Sequence, residues 1–100
     1  MQALAREPQS VSADVLTQLR VWLTALVAGL VTAPAQISVD VGKAGRRTVL
    51  FVLAVAPNDV GRITGKGGWV IKSLRALVAA AGARHGLRVA LELEDEARRL

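Results

Sequence analysis

Gly65-Lys66-Gly67-Gly68 stands between two helical patterns and leaves the chain few ways to turn there. Val60 to Thr64 leads into it and Trp69 to Arg75 leads out. Glycines at both ends of so short a helix-to-helix connection permit backbone geometries that a Cβ forbids. They also let another molecule approach the main chain closely, with Lys66 projecting between them. The second helix starts at the loop, so its free N–H groups and the positive end of its dipole meet there. Backbone donors, a helix N-terminus and a lysine form a site suited to phosphate.

The rest of the chain reads as alternating periodicities. Residues 1–9 carry no periodicity and include Pro8, which predicts a flexible tail. Ser10 or Ser12 caps a helix whose apolar positions Val15, Leu16, Leu19, Leu23, Leu26, Val27 and Leu30 recur at helical spacing. Gly29 and Pro34 end it. Ile37, Val39 and Val41 alternate with Ser38 and Asp40 as a half-buried strand, and Gly42 to Arg47 forms a basic turn. Thr48 to Ala56 is a nearly unbroken apolar run and predicts a central strand. Pro57-Asn58-Asp59 stops the run and caps a short helix over 58–64. After the loop, Val70, Ile71, Leu74, Leu77, Val78 and Ala81 form a longer stripe, closed by Gly82 and Gly86. Val89, Leu91 and Leu93 alternate as a third strand, and residues 95–100 are a charged tail.

The order is therefore α-β-β-α-α-β, an α+β domain over residues 10–94. Each helix has one apolar stripe, so all three are expected on one face of a three-stranded mixed sheet. The first two strands pair as a hairpin through the basic turn. The third returns by a helical crossover and runs parallel to the second. If Val49, Phe51, Leu53 and Val55 meet the helices, then Leu50, Val52 and Ala54 face outward as an apolar stripe suited to a protein interface.

Charge is unevenly spread. The net charge is +5, but residues 42–88 carry nine basic residues against Asp59 alone, a net of +8. The reading from sequence places this charge around the glycine loop, the electrostatic footprint of a nucleic-acid binder. Arg62, Lys72 and Arg75 flank the loop. Trp69 either covers the edge of the core or stacks on a base. A core of this composition is aliphatic, since 52% of residues are hydrophobic and 3% aromatic.

Several classes are excluded on inventory. There is no cysteine for disulfides or thiolate metal sites. His85, the one histidine, has no carboxylate at ligand spacing and reads as a surface residue. Neither G-x-x-x-x-G-K-[ST] nor G-x-G-x-x-G is present, and no nucleophile–base pair suggests itself. The reading is of a protein with no enzyme activity and no cofactor. Val21 to Ala35 holds 15 uncharged residues, short of the ~20 that span a bilayer. The N-terminus lacks a basic-then-apolar leader pattern. A cytoplasmic protein with no membrane association is expected.

The element order and the run Ala54-Val55-Ala56-Pro57-Asn58-Asp59-Val60-Gly61-Arg62-Ile63-Thr64-Gly65-Lys66-Gly67-Gly68 together resemble type II KH domains. More narrowly, residues 11–94 resemble the small single-KH RNA-binding proteins of the bacterial KhpA family. Thr64 stands where that family usually has an aliphatic residue, and Trp69 where a basic one is common. The resemblance implies single-stranded RNA as ligand, clamped by a G-x-x-G loop over about four nucleotides. It assigns binding to Gly65, Lys66, Gly67 and Gly68; Trp69, Arg62, Lys72 and Arg75 join them as candidate contacts by their position beside the loop. It further implies a KhpB-like (Jag/EloR) KH partner and an RNA-chaperone or post-transcriptional role linked to cell-wall synthesis and cell length, while the outward apolar stripe of the sheet is what suggests a homodimer. A protein-interaction module that works by homo- or hetero-dimerisation, binding RNA weakly or not at all, is the alternative.

Overall fold

The computed structural model describes residues 12–94; the expected tails and the alternative cap Ser10 lie outside them. Six main elements follow in order: α1 (Ala13–Ala28), β1 (Ser38–Ala44), β2 (Thr48–Ala54), α2 (Val60–Thr64), α3 (Trp69–Ala83) and β3 (Arg88–Leu93). The sheet order is β1-β2-β3, with β1 antiparallel and β3 parallel to the central β2. This is the α-β-β-α-α-β arrangement of a type II KH fold.

Local chemistry explains the boundaries. The Ser12 hydroxyl accepts from the Asp14 N–H at 3.1 Å and caps α1, and Asp14 meets the positive end of the helix dipole. The buried positions of α1 are Leu19, Leu23 and Val27, four residues apart. Those of α3 are Ile71, Leu74, Val78 and Gly82. Both stripes close on Val39 from β1, on Val49, Phe51 and Leu53 from β2, and on Val89, Leu91 and Leu93 from β3. Period-two alternation thus gives the sheet one helix-covered face. On the other face Leu50, Val52 and Ala54 are half-buried rather than open, with Asp40 and Glu92 opposite Val52.

Four expectations are corrected. The first strand continues to Ala44 because a bulge at Gly42 absorbs one residue between Val41 and Lys43. A Cβ at Gly42 would lie 2.8 Å from Val52 Cγ2, which explains the glycine. The central strand ends at Ala54, before a 3-10 turn over Pro57–Asp59. Gly82 does not stop α3: it is buried inside the helix, where a Cβ would lie 2.3 Å from Val89 Cγ2. Leu77 is 45% exposed and lies off the core stripe.

Both edge strands have a carbonyl taken by a helix arginine. Arg20 Nε donates to the Val39 carbonyl and Arg75 Nε to the Leu91 carbonyl, each at 3.0 Å. These bonds tie α1 to β1 and α3 to β3, and a charge laid against an edge strand discourages further strand pairing.

Asp59 is fully buried, the one buried charged side chain among the described residues. It does not cap α2, as its position suggested. Instead its Oδ1 accepts from the Thr32 N–H and hydroxyl, both at 2.9 Å, and its Oδ2 from the Ala33 N–H at 3.1 Å. Arg62 Nε lies 3.3 Å from Oδ1. The Thr32 N–H above all, then the Thr32 hydroxyl, the Ala33 N–H and the Arg62 charge hold the Asp59 pKa below its ordinary value, against the opposing effect of burial. A depressed carboxylate pKa stabilises the fold above the unfolded-state value and ceases to as pH falls through the folded one. Asp59→Asn should therefore melt below wild type at pH 7, with the gap closing below about pH 4. A gap that does not change with pH in thermal melts would contradict this role.

Candidate nucleic-acid interface

α2 ends where Gly65 adopts φ 76°, ψ 166°, a conformation open essentially to glycine alone. Its N–H donates to the Gly61 carbonyl at 2.9 Å, closing the helix. A Cβ here would lie 2.4 Å from Val70 Cγ2 and 2.9 Å from the Val70 backbone nitrogen. Gly65 is therefore the packed hinge of the loop. Gly67 and Gly68 also have positive φ, 65° and 78°. Nothing lies within 4 Å of a Cβ built on Gly67, so its backbone faces open space. The first glycine serves packing, and the second leaves the main chain approachable.

α3 starts directly on this loop. No side chain caps it and no acidic residue occupies its first turn, so nothing local offsets the positive end of its dipole. Lys66 is exposed at the loop tip. Lys72 leans back over it, with Cε 3.9 Å from the Cβ position of Gly68. Trp69 is 62% exposed at the mouth of the loop. That exposure removes the reading in which the ring covers the core, a role taken by half-buried Trp22 on α1. Thr64 turns its hydroxyl back to the Val60 carbonyl at 3.0 Å, so the polar group at this half-buried position is satisfied within α2.

The structure thus gathers Gly65, Lys66, Gly67, Gly68, Trp69 and Lys72. Arg62 stands on α2 with its Nε toward Asp59 and its side chain 56% exposed. Arg75 is not brought to the loop: it is half-buried, two turns along α3, with Nε on the β3 carbonyl. Sequence reasoning also missed a second cationic group. Because β2 and β3 run parallel and pair Thr48 with Arg88, the hairpin turn and the α3–β3 turn meet at the end remote from the glycine loop. Lys43, Arg46, Arg47, Arg84 and Arg88 lie there, all exposed. The basic residues are divided between two ends of the domain, not concentrated at the loop.

The family model for KhpA/KhpB, KH domain, matches residues 20–93, a span that includes the sheet, the loop and both flanking helices. The chain belongs to the KhpA/KhpB KH-domain family. Among its relatives is the RNA-binding protein KhpA of Chlamydia pneumoniae, 33% identical over 75 residues, which cover 75% of this chain and 95% of that one. RNA-binding protein KhpA of Leifsonia xyli is 36% identical over 74 residues, 74% of this chain and 93% of the relative. The protein of the same name from Clostridium acetobutylicum is 31% identical over 71 residues, 71% and 93% respectively. No solved structure matches at a significant level. In this KhpA/KhpB domain two helices flank the glycine loop, with a tryptophan in the first turn of the second.

The two glycine roles are separable. Gly65→Ala should cost about 3 kcal/mol or more in urea denaturation, from strain plus overlap with Val70. Gly67→Asn should cost less than about 1 kcal/mol, since asparagine tolerates the left-handed region and meets nothing there. Equal losses at the two positions would contradict the assignment.

Proposed function

We propose that this protein binds single-stranded RNA, with the Gly65–Gly68 loop gripping the sugar-phosphate backbone and Trp69 stacking on a base. The observation that carries this reading is the open Gly67 backbone beside an uncapped α3 N-terminus, with Lys66 and Lys72 over it. A phosphate approaching Gly67 meets main-chain donors without steric obstruction and two ammonium groups within side-chain reach. Trp69 offers the flat surface that makes a sequence-tolerant stacking platform. Membership of a family whose relatives are named RNA-binding proteins supports the same ligand.

The wider role in this proposal rests on the family resemblance. The protein acts as an RNA chaperone or post-transcriptional regulator in the cytoplasm, non-catalytically, beside a KhpB-like KH partner and in connection with cell-wall synthesis and cell length. Two coupled KH modules suit such a role, because a four-nucleotide site is weak alone and linkage multiplies affinity without new contacts. Among the described residues no helix is long and apolar enough to cross a membrane.

A second reading has its own observation. Trp69 and Leu77 are both exposed on α3, eight residues apart and therefore on one face, with Ser73 between them. That face suits pairing with a second KH domain, and a partner seated on Trp69 would compete with RNA.

Lys66→Asp combined with Gly67→Asp should abolish most RNA binding in a mobility-shift assay while leaving the circular dichroism spectrum unchanged. Aspartate is tolerated in the left-handed region, so the loss would reflect charge and bulk rather than unfolding. Undiminished binding would overturn the loop assignment. Trp69→Ala should cost roughly 1–3 kcal/mol of RNA affinity. If it leaves affinity intact but lowers the apparent mass in light scattering, Trp69 belongs to the protein interface.

A further inference from the structure

At the end of the domain away from the glycine loop, the hairpin turn and the α3–β3 turn are stitched together. The Arg88 N–H donates to the Arg47 carbonyl at 2.7 Å, and the Gly45 N–H to the Thr48 carbonyl at 2.8 Å. Arg47 extends over the second turn, with Nη1 3.6 Å from the Cβ position of Gly86. Arg46 precedes it, Lys43 lies just before the turn, and Arg84 and Arg88 flank Gly86. Between the turns lies a shallow depression lined by Arg47 and Arg88 together with Ala79, Ala83 and Leu87.

Three observations separate this end from an ordinary solvated surface. It holds five arginine and lysine side chains with no acidic residue on either turn. Among the described residues none of the five is ion-paired; the salt bridge of the domain joins Arg62 to Asp59, away from this end. The nearest acids on the sheet, Asp40 and Glu92, stand across Val52, two residues along β2 from Leu50. Like charges crowded on two tight turns repel each other, and the arrangement gains stability from a bound polyanion. Arginine's planar fork is well matched to phosphate.

We propose that this basic end is a second contact for the RNA backbone, distinct from the glycine loop, so that one longer strand engages both ends of the domain. The proposal rests on the reading of the protein as an RNA binder but not on the loop being the clamp. The 15 residues of α3 separate the two ends, about 22 Å at 1.5 Å per residue. A stacked strand rising ~3.4 Å per nucleotide needs about six nucleotides beyond the clamp to cross that distance. The separation also exceeds the screening length of ~8–10 Å in ordinary salt, so each end acts on its own stretch of strand. A short RNA seated at the loop does not sense the basic end; a long one does.

The test compares Arg46→Glu/Arg47→Glu/Arg84→Glu with wild type against two RNAs. One has about four nucleotides, the length of a single clamp, and the other about 20, enough to reach both ends. The triple variant should bind the long RNA about tenfold or more weakly, with the salt slope of log K reduced by roughly 2, near 0.7 per lost phosphate contact. Its binding of the short RNA should be unchanged. Wild-type affinity and slope for the long RNA would overturn the proposal, as would equal weakening of both RNAs, which marks a general charge effect. Arg46→Gln/Arg47→Gln/Arg84→Gln replaces the triple variant if circular dichroism shows the latter misfolded. The Lys66→Asp/Gly67→Asp variant runs in parallel and should lose the short RNA. If it does not, the loop assignment fails while the long-RNA comparison still decides the basic end.

Discussion

The geometry of this domain depends on one buried carboxylate. Asp59 sits at the junction between the central strand and the helix-loop-helix, and accepts hydrogen bonds from Thr32 and Ala33 in the connection between α1 and β1. A buried charge is tolerable only when its lone pairs are satisfied, and here backbone, hydroxyl and guanidinium donors do so. The consequence is positional. The start of α2 is tied to the connection between α1 and β1, so the short helix cannot swing relative to the sheet. Gly65 completes the constraint by packing against Val70, which sets the angle at which α3 leaves the loop. Five residues of α2 are too few to hold a helix by propensity alone. Its placement comes from these two tertiary contacts and from Ile63 in the core.

On the proposed reading, a loop held by these contacts suits a sequence-tolerant RNA site. Gly67 offers main chain to the outside because Gly65 has already absorbed the steric demands of the turn. The lysines and the uncapped helix end supply charge, and Trp69 supplies a flat surface. On this account the contacts are to the sugar-phosphate backbone and to a stacked base, so specificity comes from strand accessibility and from linkage to further contacts. The second cationic end extends the same logic along the domain.

Much of this was legible in the chain itself. Strand and helix periodicities are local, so the order, the antiparallel hairpin and the parallel third strand followed from alternation and connection length. The loop was visible because three glycines within four residues have few other uses between helices. What escaped was long-range. Asp59 looked like a cap because its partners lie 26 and 27 residues away. Gly82 looked like a stop because nothing in its neighbourhood in sequence announces Val89 packed against it. Arg75 looked like a loop residue because the helix face was apparent but the strand carbonyl beside it was not. The division of charge was deducible and was obscured by counting along the chain: parallel β2 and β3 already require their first residues to meet, which carries the basic turns away from the loop.

The central claim is that RNA is gripped by exposed main chain at the glycine loop. Amide chemical shifts followed by NMR during titration with a short unstructured RNA test it directly, because they report on the backbone groups themselves. The account predicts the largest changes at Lys66, Gly67, Gly68 and Trp69, with the amides of α1 and β1 nearly unmoved. Saturable binding that leaves those four amides in place while shifting others would contradict it.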